Sequence, residues 1–290
     1  MPKAFNRLMA SEFRLTSTRF GMATTVQVTP PPRRPVAAFA RWVAEAIPPG
    51  ASVVNVGGGC NASGQFPAVR RRASHLVAVD PSARVLGNSD ADERYQLTLE
   101  DFAADRPERF DVAFAVFVME HVADPGAFTR AAARILKPGG AFMGITLNKW
   151  HYFGLATWAS SRLGLNEWLL RRVRDPERVA EYHFRTEYRI NTIRSTSRYF
   201  ARAGFSSVEF RMWDLPRMYE PYLPTRLGGF AAAWNSAAYK LGRPNLMGHL
   251  TFKAELGGSG TKQFTASDKS ETACAADHEA PASRSSKSFD

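Results

Sequence analysis

The chain has 290 residues, of which 44% are hydrophobic and 22% are charged, which is the composition of an ordinary globular protein with one substantial core. No apolar run reaches the roughly 18 residues that a membrane-spanning helix needs, so we expect no integral membrane segment. Only two cysteines are present, Cys60 and Cys274, and they lie in unlike segments. This cysteine usage favours a reducing, cytoplasmic compartment and predicts no disulfide.

The formal net charge is +11, and residues 162–202 alone hold ten arginines against five acidic residues. Such a concentration of positive charge is typical of proteins that meet anionic partners, such as phosphate-bearing substrates, nucleic acid or a membrane surface. The same pattern also fits a solvated helical face without any partner. The charge therefore leaves nucleic acid and peripheral membrane contact open without favouring them.

The two ends of the chain differ in composition from the middle. Residues 1–35 are basic, hold one acid and end in a proline-rich run, so we expect a disordered leader or translation that starts at Met22. Residues 257–290 are rich in Ser, Ala, Thr and Gly and almost free of large apolar residues, which predicts a disordered tail. The folded domain is accordingly predicted at residues 36–256.

Between the ends, apolar strand patterns alternate with amphipathic helix patterns. We expect a helix over 36–47, strands one to three at 53–56, 76–79 and 95–99, strand four ending at 118, a helix over 126–136, strand five at 141–147, a helix over 191–203, and the last two strands at 208–212 and 249–255. Continuous apolar strands between helices predict a parallel sheet covered on both faces.

The most informative stretch is 52–64, SVVNVGGGCNASG, in which glycines interrupt a buried strand. Glycine lets the backbone turn sharply and approach a ligand closely. A second apolar strand ends about twenty residues later at Asp80, which suits a grip on ribose hydroxyls. The sequence thus predicts a nucleoside-bearing cofactor. Gly57, Gly59 and Ala62 also satisfy G-x-G-x-x-A, which keeps a dinucleotide cofactor and a dehydrogenase open at this point.

Downstream motifs narrow the choice. Glu100-Asp101-Phe102 follows the third strand, Phe110-Asp111 leads through the fourth to Glu120-His121-Val122 and Asp124-Pro125, and 136–140 reads LKPGG. In these ordered motifs the chain resembles the class I S-adenosylmethionine-dependent methyltransferases, in the branch with "ED", "FD…EHV-DP" and "LKPGG" signatures, and the resemblance disfavours a dehydrogenase.

The resemblance implies an α/β fold with a Rossmann-like, doubly wound sheet. That sheet is mostly parallel, and its last strand inserts antiparallel between the fifth and the sixth. Helical insertions are expected after strands five and six, at 150–191 and 213–248. Because ligands bind beyond the carboxyl ends of strands in open α/β sheets, these insertions are expected on the substrate side.

The cofactor implied by the resemblance is S-adenosyl-L-methionine. The positions that match the cofactor-binding motifs are Asn55, Gly57, Gly59, Asp80, Asp101, Phe102 and Val116. Asn55 stands where the family usually has an acid, and Asn61 replaces a common third glycine, so two positions depart from the pattern. Asp80 has a purely structural alternative as the N-cap of a helix that begins at Pro81.

Methyl transfer is a direct displacement that needs alignment of the acceptor and exclusion of water, and a base when the acceptor is a hydroxyl or a protonated amine. His121 and His151 are the candidate bases, and His183 is a third histidine to consider. No Cys/His cluster has metal-ligand spacing, so we expect no metal. The candidate substrate-binding residues are Trp150, Tyr188 and Arg189. For Arg189, a salt bridge at the entry of a helix capped by Asn191 is equally consistent with the sequence.

The leading hypothesis is a cytoplasmic methyltransferase that acts on a small-molecule acceptor. An RNA methyltransferase would use the arginines as a phosphate track, but the sequence has no appended RNA-binding module. A degenerate methyltransferase fold that serves as a membrane-surface or partner-binding module is the non-enzymatic alternative. Nothing in the sequence names the acceptor.

Overall fold

The structure is a computed structural model that describes residues 13–60, 66–162, 186–215, 219 and 228–258. Its strands are β1 (Phe13–Arg19), β2 (Met22–Val28), β3 (Ser52–Val56), β4 (His75–Val79), β5 (Glu93–Tyr95), β6 (Phe110–Val116), β7 (Leu136–Leu147), β8 (Phe205–Trp213) and β9 (His249–Leu256). Its α-helices are α1 (Pro35–Ala46), α2 (Pro67–Arg72), α3 (Leu99–Ala104), α4 (Pro125–Ile135), α5 (Tyr152–Arg162), α6 (Ile193–Arg202) and α7 (Gly228–Lys240). Short 3₁₀ helices lie at Ala83–Gly87, Met119–His121 and Pro244–Leu246.

The nine strands form one sheet in the order β1-β2-β8-β9-β7-β6-β3-β4-β5. The strands from β3 to β7 pair in parallel, and β9 runs antiparallel to both of its neighbours, β7 and β8. The predicted Rossmann-like α/β sheet is therefore confirmed, including the antiparallel strand between the fifth and sixth strands of the expected order.

Helices cover both faces of the sheet, which explains why its central strands are apolar on both sides. On one face a core forms from residues of α3, α4 and α6 against the strands, with Phe142 and Phe252 stacked at 6.2 Å between ring centroids. On the other face α1 and α2 pack over β3, β4 and β6. Gly144 on β7 is required for this packing, because a Cβ there would lie 2.4 Å from the Phe252 ring.

The prediction of a disordered leader is wrong for Phe13–Val28. These residues form an antiparallel hairpin, and β2 pairs in parallel with β8. The two turn residues, Phe20 and Gly21, have φ angles of 54° and 77°, which suit the turn type that matches the twist of two antiparallel strands. The basic, Ser/Thr-bearing composition hid an alternation in which Met22, Thr24, Val26 and Val28 are buried. Residues 1–12 lie outside the described residues.

Several predicted boundaries move for local reasons. The third strand ends at Tyr95 rather than 99, because the Thr98 hydroxyl accepts a hydrogen bond from Asp101 N at 3.1 Å and starts α3 there. The LKPGG run belongs to β7, which begins directly after α4. Of the two insertions, the structure describes α5 and α7 but not 163–185, which include His183 and much of the arginine-rich stretch. The tail beyond Gly258 also lies outside the described residues.

Candidate functional site

The glycine turn after β3 joins the carboxyl ends of three strands. Gly57 has a φ of 70°, and its N–H donates to the carbonyl of Val79 at 2.7 Å. A Cβ on Gly57 would lie 2.2 Å from Cγ2 of Val118, the second residue after β6. Both the backbone angle and the contact therefore demand glycine, and they place the ends of β3, β4 and β6 around one surface.

Asp80 lies directly after β4 and is 9% exposed. Its Oδ2 accepts a hydrogen bond from Gly59 N at 3.0 Å, and its Oδ1 accepts one from Ser82 N at 2.8 Å. The helix cap that the sequence left open for this residue is occupied instead by Ser82. Each carboxylate oxygen keeps a second lone pair, so Asp80 both braces the glycine turn and can accept from a ribose hydroxyl.

The side chains of Asn55 and Asn88 contact the backbone of the glycine turn. Asn55 is buried, and its amide nitrogen would lie 3.2 Å from a Cβ on Gly58, which shows how closely its side chain lies under the backbone. Asn88 Nδ2 donates to the carbonyls of Gly58 and Gly59 at 3.1 and 3.2 Å. Sequence reasoning missed Asn88, because this residue lies about thirty positions after the glycine turn, directly behind a 3₁₀ helix that carries no motif.

The other predicted cofactor residues divide between surface and core. Asp101 is exposed in the first turn of α3, where its carboxylate accepts from the Thr98 hydroxyl at 2.7 Å. Phe102, in contrast, is 1% exposed and packs among the rings of Tyr95 and Phe110 in the core. Val116 ends β6 and is half-buried. The structure thus brings Asp101 and Val116 to the same edge of the sheet as Asp80, with Phe102 beneath as a packing residue.

The chain leaves β6 through a strained turn. Phe117 has a φ of 53°, a region that a bulky side chain rarely occupies, and its N–H donates to Ile145 O at 2.9 Å. Strain of this kind tends to persist at functional sites. The 3₁₀ helix that follows ends at His121, which is half-buried and one turn beyond the contact with Gly57.

Glu120 forms a buried polar network at this turn. Its Oε2 accepts from the Thr146 hydroxyl at 2.6 Å, and the Asn191 amide lies 2.6 Å from the same hydroxyl oxygen. Burial raises the pKa of the Glu120 carboxyl, and the Thr146 hydrogen bond opposes this only in part. The Glu120 carbonyl also accepts from Glu187 N and Tyr188 N at 2.7 and 3.2 Å. The network fixes the return of the first insertion onto the turn after β6.

Tyr188 and Arg189 point in different directions. Tyr188 has a φ of 50°, is 2% exposed and forms a hydrogen bond of 3.0 Å with the Thr157 hydroxyl. Burial raises the pKa of its phenol. Arg189 is 56% exposed and pairs with Glu187 at 3.2 Å. The salt-bridge alternative for Arg189 is therefore present, although Thr192 rather than Asn191 caps α6.

His151 lies in a sealed polar cluster rather than in an open cleft. It is 1% exposed, and its Nδ1 accepts from Phe153 N at 3.3 Å, which assigns the ring proton to Nε2. Nε2 faces Oδ1 of buried Asp214 at 3.5 Å, and neither atom has a hydrogen-bond partner among the described residues. Gly248 leaves the space for this pair, since a Cβ there would lie 2.6 Å from Asp214 Oδ1.

His249 is the second histidine of this cluster and was missed by the sequence analysis. Its ring stacks on Trp213 at 3.9 Å and its Nε2 lies 3.1 Å from the Tyr219 hydroxyl. Burial, and then the repulsion that a protonated His151 would exert, lower the pKa of His249 to about 3, so its ring is neutral at physiological pH. Asp214 directly follows β8 and His249 opens β9. The expected antiparallel order of these strands was the one signal that could have placed the two residues at the same edge.

Trp150 lies on the surface above this cluster. Its side chain is 50% exposed. Its backbone N–H donates to Asn148 Oδ1 at 3.2 Å. The Lys149 ammonium lies 4.4 Å from the Trp158 ring centroid on α5. This is an exposed aromatic and cationic surface at the end of β7.

The predicted residues thus form two neighbouring zones. The first lies at the ends of β3, β4 and β6 and is named the cofactor zone because it holds the residues predicted to bind the cofactor. The second is a polar and aromatic zone at the ends of β7 and β8 and the start of β9. The Phe117 and His249 rings, 6.3 Å apart, connect them. Within the described ranges, no group of three or more His, Cys, Asp and Glu could hold a metal, and no helix is long and apolar enough to cross a membrane.

Comparison with known proteins shows the family to which the chain belongs. A family model described as "Methyltransferase domain" matches residues 32–209. The ubiquinone biosynthesis O-methyltransferase of Bradyrhizobium sp. (strain ORS 278) is 39% identical over 108 residues, which cover 34% of this chain and 42% of that protein. The protein of that name from Xanthomonas campestris pv. campestris (strain B100) is 34% identical over 110 residues, covering 35% of this chain and 45% of that protein. The chain thus spans less than half the length of these curated relatives.

Among solved structures, a methyltransferase from Archaeoglobus fulgidus that depends on S-adenosylmethionine superposes with a TM-score of 0.50. It is 14% identical, and the match covers 77% of this chain and 94% of that one. This likeness supports the fold alone.

The fold and the glycine turn are those of a class I S-adenosylmethionine-dependent methyltransferase domain, with S-adenosylmethionine as the methyl donor. The chain belongs to the methyltransferase-domain family, whose model matches more than half of its length.

Proposed function

We propose that the chain is an active methyltransferase that transfers the methyl group of S-adenosylmethionine to a hydroxyl oxygen of a small, largely apolar acceptor. The observation that carries this proposal is the continuity of the two zones. The cofactor zone ends at Phe117, whose ring contacts His249 of the sealed cluster, and the exposed Trp150 and half-buried Trp158 lie at the end of β7 next to that cluster. A few polar groups among aromatic walls suit a hydroxyl-bearing apolar ligand.

The relatives support the oxygen acceptor. Both are named as O-methyltransferases of ubiquinone biosynthesis. The matched stretch spans about a third of this chain, so the acceptor itself is inferred only as a chemical class. An aromatic hydroxyl is the class that fits both the relatives' names and the aromatic zone.

For the cofactor, the chain's own residues have separate tasks. The Gly57–Gly59 turn admits the nucleoside closely, and Asp80 accepts from the ribose hydroxyls. Asp101 is proposed to meet the adenine amino group, and the turn after Val116 to border the reacting methyl. Asn55 is neutral where an acid would face the ammonium group, so the methionine end of the cofactor is held without that charge.

A hydroxyl acceptor must lose its proton during transfer. In the observed arrangement His151 has its Nδ1 engaged by Phe153 N–H, and its Nε2 carries a proton toward Asp214. It therefore offers no free lone pair. We infer that His121, which ends the half-buried turn next to the cofactor zone, is the base, and that buried His151 holds the chain after β7 in place.

The proposal is tested by incubating the purified chain with S-adenosylmethionine and a panel of phenols, catechols and prenylated hydroquinones, with S-adenosylhomocysteine as the readout. We expect turnover on at least one aromatic hydroxyl, and turnover lowered about tenfold with Asp80→Ala at a cofactor concentration far below saturation. Total RNA serves as a competing acceptor. Methylation of RNA alone would overturn the small-molecule assignment, and failure to bind S-adenosylhomocysteine would favour the non-enzymatic alternative.

A further inference from the structure

The orientation of the Asn191 amide follows from the backbone groups beside it. One end of this amide lies 3.1 Å from the carbonyl oxygen of Met119, and the other end lies 3.2 Å from the backbone nitrogen of Glu120 and 2.6 Å from the Thr146 hydroxyl oxygen. A carbonyl oxygen can only accept a hydrogen bond, and a backbone N–H can only donate one. The NH₂ group of Asn191 therefore faces Met119, and its amide oxygen faces Glu120 N and the Thr146 hydroxyl.

This orientation places the Thr146 hydroxyl between two oxygens. The Asn191 amide oxygen and Glu120 Oε2 each lie 2.6 Å from Thr146 Oγ1. Both are hydrogen-bond lengths, and two oxygens this close need a proton between them. The hydroxyl holds one proton and the amide oxygen holds none. The second proton can come only from a protonated Glu120, which then donates to Thr146 while Thr146 donates to Asn191.

The surroundings of Glu120 also favour the neutral acid. The residue is 5% exposed, and burial raises the pKa of its carboxyl more than the charge of a protonated His121 lowers it. A hydrogen bond from the carboxyl to Thr146 acts in the same direction as burial, because it stabilises the protonated form. The other titratable groups that act on this site in the described part of the chain are Tyr188 and Tyr219, whose phenols stay neutral because burial raises their pKa.

The hydrogen-bonded side chains join three segments. Thr146 belongs to β7, Glu120 to the turn after β6, and Asn191 to the chain that returns from the first insertion. The Glu120 carbonyl also accepts from Tyr188 N at 3.2 Å. His121, the inferred base, directly follows Glu120. The placement of His121 and of the returning chain therefore depends on the same proton.

We propose that Glu120 is a neutral carboxylic acid in the folded chain at physiological pH, and that its proton positions His121 and the returning chain for methyl transfer. Ionisation removes one of the two hydrogen bonds, because the single Thr146 proton then reaches either Glu120 or Asn191 but not both. Glu120 is thus a positioning residue that acts through His121. The positioning role rests on the proposed function, whereas the protonation state does not.

Unfolding in urea tests the protonation state on the full chain. Glu120→Gln is neutral at every pH and keeps an N–H donor toward Thr146. All other titrating groups cancel in the ratio of the unfolding equilibrium constants of the unmodified chain and this variant. Unfolding releases the Glu120 proton once the unfolded carboxyl ionises, so this ratio should rise roughly tenfold per pH unit from about pH 5 to 7. A ratio that stays constant with pH would overturn the proposal.

Glu209→Gln is the matched control, because the Glu209 carboxylate lies on a strand and pairs with Arg211 at 2.9 Å. It measures the pH dependence that the loss of a surface glutamate produces, and an equal slope in the two variants would also overturn the proposal. An infrared spectrum of the unmodified chain at neutral pH needs no folded Glu120→Gln variant. The carbonyl stretch of a protonated carboxyl should be present, and it should persist in Glu100→Gln, which removes another carboxyl whose pKa burial raises. Its absence from either sample contradicts a neutral Glu120.

Amide hydrogen exchange tests the positioning role without any acceptor. The exchange rate of Tyr188 N–H reports the contact of the returning chain with Glu120, and the rate of Val54 N–H in β3 corrects for global stability. Glu120→Leu has no donor and should speed the corrected exchange at least tenfold. Glu120→Gln should leave it within a few-fold. Glutamine and leucine variants that exchange alike would overturn the positioning role.

Steady-state kinetics then test the same role during turnover. With an acceptor, kcat should fall at least tenfold in Glu120→Leu and stay within a few-fold in Glu120→Gln, and the KM for S-adenosylmethionine should change little in either. The kcat of the unmodified chain should decline at alkaline pH, where that of the glutamine variant does not. Equal kcat values and pH profiles in all three proteins would overturn the positioning role. Failure of the unmodified chain on every acceptor would count against the proposed function, and the unfolding ratio and the exchange rates would still decide the role of Glu120.

Discussion

At the scale of single residues, Asp80 has two tasks that its motif does not separate. It accepts from two backbone N–H groups, and it is expected to accept from the cofactor ribose. We therefore expect Asp80→Ala to weaken S-adenosylhomocysteine binding at least tenfold, since each lost buried hydrogen bond to a charged group costs about 1.5–3 kcal/mol. The melting temperature without ligand should also fall, because the glycine turn loses its brace. Isothermal titration calorimetry and thermal unfolding measure the two effects.

Asp111 offers the matched control for that experiment. Its carboxylate also accepts a backbone N–H, from Ser52 at 2.9 Å, and it pairs with Lys137 at 2.8 Å at the far end of the sheet. Asp111→Ala should lower the melting temperature and leave the affinity unchanged. If both variants bind the ligand equally well, Asp80 does not hold the ribose.

His249 gives the molecule an acid-sensitive point. Its folded pKa of about 3 lies below the ordinary value of 6.5, so the unfolded chain binds this proton more readily than the folded one. The contribution of His249 to the free energy of unfolding is fully present above about pH 6.5. It is lost as the pH falls toward 3, at up to about 1.4 kcal/mol per pH unit. Replacing His249 with Asn should flatten this part of the profile in urea unfolding between pH 7 and 4.

His75 serves as the reference for that profile. It is about one-third exposed and lies beside Asp92 and Glu93. His75→Asn removes a partly exposed imidazole and so measures how much of the acid slope comes from charges at the surface. An equal change in both variants would show that surface charge, rather than the sealed cluster, sets the slope.

At the scale of elements, β2 is a structural strand and β1 is an addition to it. Val26 and Val28 are buried where β2 pairs with β8, whereas the described side chains of β1 are exposed. We compare chains that begin at residues 13, 22 and 30. We expect a small loss of stability between the first two. Between the last two the loss should be several kcal/mol, because two buried valines and a strand's hydrogen bonds disappear.

Melting temperature and urea midpoint measure this series, and S-adenosylhomocysteine affinity is its control because the cofactor zone is on the other half of the sheet. A chain that begins at residue 30 and melts like the full one would restore the hypothesis of a dispensable leader. The series also separates translation from Met22, which keeps β2, from a start further along.

The elements show what the sequence could predict and why. β3, β4 and β6 are buried on both faces. Each is therefore a continuous apolar run, and such a run predicts a strand without any knowledge of the strands beside it. In the hairpin only β2 is covered, and on one face, so its alternation was hidden in a basic, polar segment. The cofactor residues follow single strands and are local in sequence. The His151–Asp214–His249 cluster was missed because its members come together from positions up to about a hundred residues apart.

At the scale of the whole molecule, the two zones lie side by side along the same end of the sheet and use different strands. The cofactor zone uses β3, β4 and β6, whose turns follow the family motifs, and the polar and aromatic zone uses β7, β8 and β9 with the two insertions. Glu120 ties the insertion to the motif-bearing turn through Thr146 and Asn191. We therefore expect variation in the insertions to change the acceptor and to leave cofactor binding unchanged.

Because the two zones use different strands, substitutions of Trp150 and Asp80 should have opposite effects on acceptor turnover and cofactor affinity. Trp150 is half exposed at the end of β7, and its side chain has no part in the glycine turn. Trp150→Ala should lower turnover on the acceptor at least tenfold by removing an aromatic wall, an effect within the 1–3 kcal/mol of a lost apolar contact. Its cofactor affinity should stay within a few-fold. Asp80→Ala should show the opposite pattern, with a cofactor defect that saturating S-adenosylmethionine restores.

The Arg189→Ala variant completes the comparison. In the unmodified chain the Arg189 guanidinium is exposed and paired with Glu187. A drop in acceptor turnover would assign it to the substrate, whereas unchanged kinetics would leave it as a salt bridge. Steady-state kinetics with each substrate varied in turn separate these outcomes. If Trp150→Ala instead abolished cofactor binding and spared the acceptor, the first insertion would cover the cofactor, and acceptor specificity would have to lie between α7 and β9.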